Sequence, residues 1–171
     1  MKKVIFVLIS LFAFFSTNAQ EIAKKSRKEI KTEKKSIKKE KVENLLSNKT
    51  FIFNATHALP MGGSSVNLNY SYNVQIENDT IVSYLPFYGV AYHVEYGGRN
   101  SGFDFTRQIK NYSIDKNKNG YLIDFELKNG NDLLYYSFHI SELGYATLNV
   151  TSTNRQSISF YGTIDEIEEV D

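Results

Sequence analysis

The chain has 171 residues, a formal net charge of +1 and no cysteine. Without cysteine it has no disulfides, no thiolate metal ligands and no acylated cysteine of the lipoprotein kind, so the fold must rest on its core alone. The near-zero charge hides a division. Residues 21–50 hold eleven basic and five acidic side chains, a surplus of six positive charges, whereas residues 51–171 hold seven basic and fourteen acidic, a surplus of seven negative. The pattern is that of a basic arm on an acidic domain.

At the start, Lys2 and Lys3 precede an apolar run from Val4 to Phe15, and Thr17 and Ala19 place small residues at the −3 and −1 positions before Gln20. These are the parts of a secretory signal peptide over residues 1–19. The run falls short of the roughly 20 residues that span a bilayer. The mature chain is therefore expected to start at Gln20, to be periplasmic or secreted, and not to be membrane-spanning.

Residues 20–47 form the basic arm, with no Gly or Pro and much Lys and Glu, all consistent with helix. Ala23, Ile30 and Ile37 make one thin apolar stripe, and Arg27, Lys34 and Lys41 occupy the row a coiled coil would need. So polar a helix is marginal alone, and the expectation is a helical or partly disordered arm. Only Val42, Leu45 and Leu46 look able to pack on the domain.

From Phe51 the period changes to two. Val66, Leu68, Tyr70, Tyr72, Val74 and Ile76 alternate with polar residues, and read as one half-buried strand. Ile81 to Leu85, Phe103 to Phe105, Tyr121 to Leu127, Leu133 to Ile140, Tyr145 to Thr153 and Ser157 to Ile164 follow, separated by turns such as Asn78-Asp79 and Asn129-Gly130. With Phe51 to Ala55 these make about eight strands joined by short turns. The expected class is all-β with an N-terminal helical arm. Residues 48–171 would form an antiparallel meander, with a lipocalin-like barrel favoured over a two-layer sandwich because closure removes exposed edges.

The segment Leu85-Pro86-Phe87-Tyr88-Gly89-Val90-Ala91-Tyr92 stands apart. It resembles the LPYFGRAY-like signature of a bacterial envelope family known as domain of unknown function 4251. Phe51 to Ala55 with Pro60 and Gly62 is similar to the family's opening strand and loop, and Phe103, Leu148 to Ser152 and Ile158 to Gly162 to its later strands, so the likeness covers about 45–171, plus the signal peptide and the charged helical lead-in. Here Phe87-Tyr88 reverses the usual aromatic order and Val90 stands where Arg is common. The resemblance implies an envelope location and no assigned activity. Physically, Pro86 should end or bulge a strand, and Gly89 permits a close backbone approach.

Several motifs bear on chemistry. Asp115 to Gly120 with Glu126 at the twelfth position matches an EF-hand loop, but strands instead of helices flank it and two lysines lie inside it. A hairpin without calcium is expected. His57, His93 and His139 form no two-His spacing, Glu95 and Asp104 have no context favouring a glycosidase pair, and no serine lies in a nucleophile elbow. The expectation is no enzyme, no catalytic residue, no cofactor and no metal. The arm's lysines lack interleaved aromatics, so no nucleic acid is expected. The leading expectation is non-enzymatic binding of a small apolar or amphipathic ligand in an aromatic-lined cavity, with Phe87, Tyr88, Tyr92 and Tyr96 at its mouth. The alternative is an envelope interaction module whose basic arm docks to an anionic surface or protein partner, or pairs with the acidic tail (Asp165 to Asp171) of a neighbouring copy.

Overall fold

The structure is a computed structural model that describes residues 27–92 and 102–168. The chain divides into two compact units, residues 1–34 and 35–171. The signal-peptide segment lies outside the described residues. Helix α1 (Arg27–Ser47) spans the boundary between the units. In the first unit its residues 28–34 are exposed, and Thr32 Oγ1 donates to the Lys28 carbonyl at 3.0 Å.

In the second unit the helix changes character as its sequence does. Val42, Leu45 and Leu46 are buried, Leu46 almost completely. The helix stops where Lys49 turns to a left-handed φ of 49° and its N–H reaches the Leu46 carbonyl at 3.2 Å, a common way to end a helix.

Ten strands follow: β1 (Thr50–Pro60), β2 (Val66–Asn67), β3 (Asn73–Glu77), β4 (Thr80–Leu85), β5 (Phe103–Gln108), β6 (Lys110–Asn117), β7 (Gly120–Asn129), β8 (Asp132–Ser141), β9 (Tyr145–Ser152) and β10 (Ile158–Asp165). They form one antiparallel sheet in the order β5-β4-β3-β1-β10-β9-β8-β7-β6, with β2 beside β1. That order is chain order written around a ring and cut between β5 and β6. The result is a nearly closed up-and-down barrel.

The expected class is therefore found, with ten strands in place of about eight. One further strand is β6, absent from the expected set, and the other arises because the run Val66 to Ile76, expected as one strand, splits into β2 and β3. Both β2 and β3 pair with β1, through Asn67 with His57 and Asn73 with Asn54. Six residue steps on one side thus face three on the other, and the surplus bulges outward. Tyr72 N–H bonds the Tyr70 carbonyl at 2.8 Å, a tight three-residue turn inside this bulge. Alternation continues through the bulge, so it carries no sign of the break.

Inward residues of each strand fill the barrel. Phe51 and Phe53 meet Phe138 edge-on at 5.9 and 5.5 Å. Tyr112, Phe125 and Tyr136 stack in a column, with centroids 6.2 and 5.3 Å apart and rings within 12° of parallel. Aromatic rings supply much of the buried area here, and such pairs add about 0.5–1.5 kcal/mol each beyond area alone.

Candidate functional site

The last turns of α1 cover one end of the barrel, and ion pairs fasten them there. Lys39 meets Glu142 at 2.5 Å, Lys41 meets Asp165 at 2.7 Å and Glu166 at 3.5 Å, and Glu43 meets Lys116 at 2.6 Å. Lys38 lies over the Tyr145 ring, 5.4 Å from its centroid. The hydrogen bond from Lys41, helped by the Glu166 N–H, holds the Asp165 carboxyl below its ordinary range, and the bond from Lys39 does the same for Glu142. Arm and acidic tail thus pair within one chain at Lys41 and Asp165, where the sequence suggested pairing between copies. Among the described residues no helix is long and apolar enough to cross a membrane.

The opposite end holds the Leu85 to Tyr92 segment. Strand β4 ends at Leu85, and Pro86, which has no N–H to donate, follows at once. Phe87 turns down onto Phe103, edge to face at 5.8 Å, and is half-buried. Gly89 passes so close that a Cβ there would stand 3.0 Å from the Phe87 ring and 3.3 Å from Gln156 Oε1. Beyond it the chain pairs with the β9–β10 turn. Val90 N–H donates to Gln156 Oε1 at 3.1 Å, Gln156 N–H to the Val90 carbonyl at 3.0 Å, and Tyr92 N–H to the Asn154 carbonyl at 2.7 Å.

That turn is itself held by a buried carboxylate. Asp132, only 5% exposed, accepts from the Ser152 hydroxyl at 2.8 Å, the Thr153 hydroxyl at 3.1 Å and the Thr153 and Asn154 N–H groups at 3.2 Å each. Its other oxygen lies 3.6 Å from Arg155 Nε. The Arg155 guanidinium sits over both Phe87 and Phe103, at 5.2 and 5.1 Å from their centroids. A buried charge is tolerated only when so surrounded. Asp132, Arg155 and Phe87 therefore form one clamp that fixes the signature segment to the barrel.

Of the four residues expected at the mouth, Phe87 packs in this clamp, while Tyr88 and Tyr92 stand 37% and 60% exposed beside it. Tyr96 lies outside the described residues, as do His93 and Glu95. Three tyrosines not singled out from the sequence join Tyr88. Tyr70, pushed out by the bulge, meets Tyr72 at 6.1 Å, and Tyr72 lies over Tyr84 at 5.2 Å with the rings tilted by 31°. The Tyr72 phenol is pushed up by partial burial first, then by the neighbouring Tyr84, Tyr88 and Tyr70. Tyr70 and Tyr84 are 74% and 48% exposed. The set comes from three separate segments, so no local spacing could have marked it.

The EF-hand-like stretch is a hairpin. Asp115 pairs with Leu122 and Asn117 with Gly120, while Glu126 lies opposite Lys110 and accepts from Asn111 Nδ2 at 2.5 Å. The two ends of the motif are thus held apart along the strands. His57 contacts Thr56 Oγ1 at 3.0 Å, and His139 points outward from β8. Among the described residues no three His, Asp or Glu side chains cluster closely enough to hold a metal ion.

With this geometry in hand, comparison with known proteins places the chain. A family described as a domain of unknown function (DUF4251) matches residues 33–164. The chain belongs to that family. A crystal structure of a DUF4251 family protein from Bacteroides eggerthii DSM 20697 superposes with a TM-score of 0.59 at 13% identity, covering 76% of this chain and 88% of that one. At that identity the likeness shows a shared fold. No curated protein matches significantly. Within this DUF4251 chain, the clamp gives the signature segment a physical meaning: Pro86 ends β4, Phe87 packs under Arg155, and Gly89 makes room for both Phe87 and Gln156.

Proposed function

We propose that the protein is an exported, non-enzymatic binding protein of the cell envelope, which takes a small amphipathic ligand on the tyrosine rim of its barrel. The observation that carries this reading is the convergence of Tyr70, Tyr72, Tyr84 and Tyr88 on one exposed patch, with Tyr92 on the adjoining stretch of the signature segment. Folding gains little from rings left this exposed, and the bulge that presents Tyr70 interrupts the sheet. Bulges often re-aim a side chain for use. Tyrosine offers an apolar face and a polar tip, which suits a ligand of mixed character. Export is supported by the charged start, short apolar run and small residues before Gln20.

The alternative, docking through the basic arm, is less well supported, because Lys38, Lys39 and Lys41 already engage the barrel. The test is native mass spectrometry of protein purified gently from its own cells. The expected result is a chain starting at Gln20 with a stoichiometric small-molecule adduct. The Tyr84→Ala/Tyr88→Ala double variant should lose the adduct and keep its melting temperature. A wild-type chain without adduct, or an adduct that survives the double substitution, overturns the reading.

A further inference from the structure

The outer wall made by β8, β9 and β10 carries a groove of about 660 Å³. Its size falls within the range of small-molecule sites. Tyr161, Thr147 and His139 lie in one cross-strand row over its length. Tyr145 stands two residues before Thr147 on the same face of β9, 61% exposed, and Tyr161 is 43% exposed. Tyr121, Asn117 and Asn119 line the groove from the β6–β7 hairpin, and Thr56 and Thr163 from the β1 side. Gly162 allows the close approach there, since a Cβ on it would collide with the Asn54 carbonyl.

No Asp, Glu, Lys or Arg is among the described residues that line this groove, in a chain of which 23% is charged. Lys38 and Lys116 stand at the margin, over the rings of Tyr145 and Tyr121 and each 5.4 Å from the centroid, and Lys116 is paired with Glu43. The surface is thus made of tyrosine rings set among hydroxyl, amide and imidazole groups.

We propose that this groove is a second binding site, distinct from the tyrosine rim, and that its ligand is a neutral oligosaccharide. Three features select that class. The absence of formal charge in the lining leaves an ionic ligand uncompensated, and desolvating an unpaired charge is costly. An acyl chain would bury the threonines, asparagines and His139 without partners, which is also unfavourable. A peptide strand has no edge to extend, because β8, β9 and β10 are each hydrogen-bonded on both sides. A sugar meets the remaining demands, with C–H faces for the tyrosine rings and hydroxyls for the polar groups between them.

The experiment is isothermal titration of the mature chain with neutral gluco-, manno- and galacto-configured tetrasaccharides, and with a uronic-acid tetrasaccharide and a fatty acid as contrasts. Saturable binding of at least one neutral sugar, and no binding of either contrast, is expected. Tyr145→Ala and Tyr161→Ala should each weaken it about tenfold, the size expected from losing one ring contact, while Tyr84→Ala/Tyr88→Ala should leave it unchanged. Thr147→Glu, which puts a charge on the floor of the groove, should abolish it and serves as a second variant if a tyrosine substitution impairs folding. Absence of binding to every neutral sugar at millimolar concentration overturns the proposal. So does preference for either contrast, or affinity indifferent to both the tyrosine and the Thr147 substitutions.

Discussion

Tyr112 shows how much one hydroxyl can matter. Its ring stacks on Phe125 and carries Lys49 Nζ 4.6 Å above it, yet its buried oxygen has no hydrogen-bond partner. A buried polar atom left unsatisfied costs free energy, so Tyr112→Phe should stabilise the protein by about 1 kcal/mol in urea denaturation. Burial also pushes the Tyr112 phenol up to about 12. Between its ordinary value near 10 and that figure, the unfolded chain loses a proton that the folded one keeps, so stability falls as pH rises through the window. The buried Tyr136 phenol, raised further by desolvation and eased only by Ser83 and Arg155, adds to the same slope. Denaturation from pH 9 to 12 should show a shallower decline in Tyr112→Phe than in the wild type. None of this was legible in the sequence, where Tyr112 follows a β6 bulge at Asn111 that places its ring inward. The same holds for Asp132, which reads as a turn residue and proves to be the buried acceptor that organises Ser152 to Arg155.

Among the elements, the end of α1 is the one whose role the sequence foretold best. Val42, Leu45 and Leu46 were the only apolar group able to pack, and they do. Leu46→Ala should cost about 3 kcal/mol, since the cavity lies under a helix held at several points. Lys41→Ala should cost no more than about 1 kcal/mol at pH 7, because its ion pairs face solvent. The Asp165 carboxyl is held below its ordinary value, so its contribution is present above that value and is lost as pH falls through the lowered one. The gap between wild type and Lys41→Ala should therefore close in acid, as thermal melts from pH 7 to 2 would show. Strands were legible for a simple reason: a wall with one wet face alternates with period two. The break between β2 and β3 was not, because the six steps from Asn67 to Asn73 are an even number and keep apolar side chains coming at alternate positions. The tyrosine rim escaped notice with it, since it exists only once that bulge meets β4 and the signature segment.

At the level of the whole molecule, the barrel's seam falls between β5 and β6, consecutive strands joined through Ile109. Neither pairs with the other, so each leaves one row of backbone groups outside the ladder. Exposed side chains cover most of β6, including Lys110 and Lys116, which discourages another strand from adding there. Amide hydrogen exchange should be fastest in β6 and slowest in β1 and β10, the central pair. Equal protection in β6 would mean that the seam closes in solution.

The pairing of β1 with β10 has a consequence in time as well as in space. Ile52 lies opposite Asp165 in the ladder, so the first strand made waits for the last. Joining ends so far apart costs about 4 kcal/mol in loop entropy before their contacts offset it. A chain still emerging from the ribosome has two half-walls, β1 to β5 and β6 to β9, and lacks the β10 strand that joins them. On the proposed reading of an exported protein, that delay is useful. The polypeptide stays threadable until its final strand has appeared, and the wall is finished only when the whole chain is present to finish it.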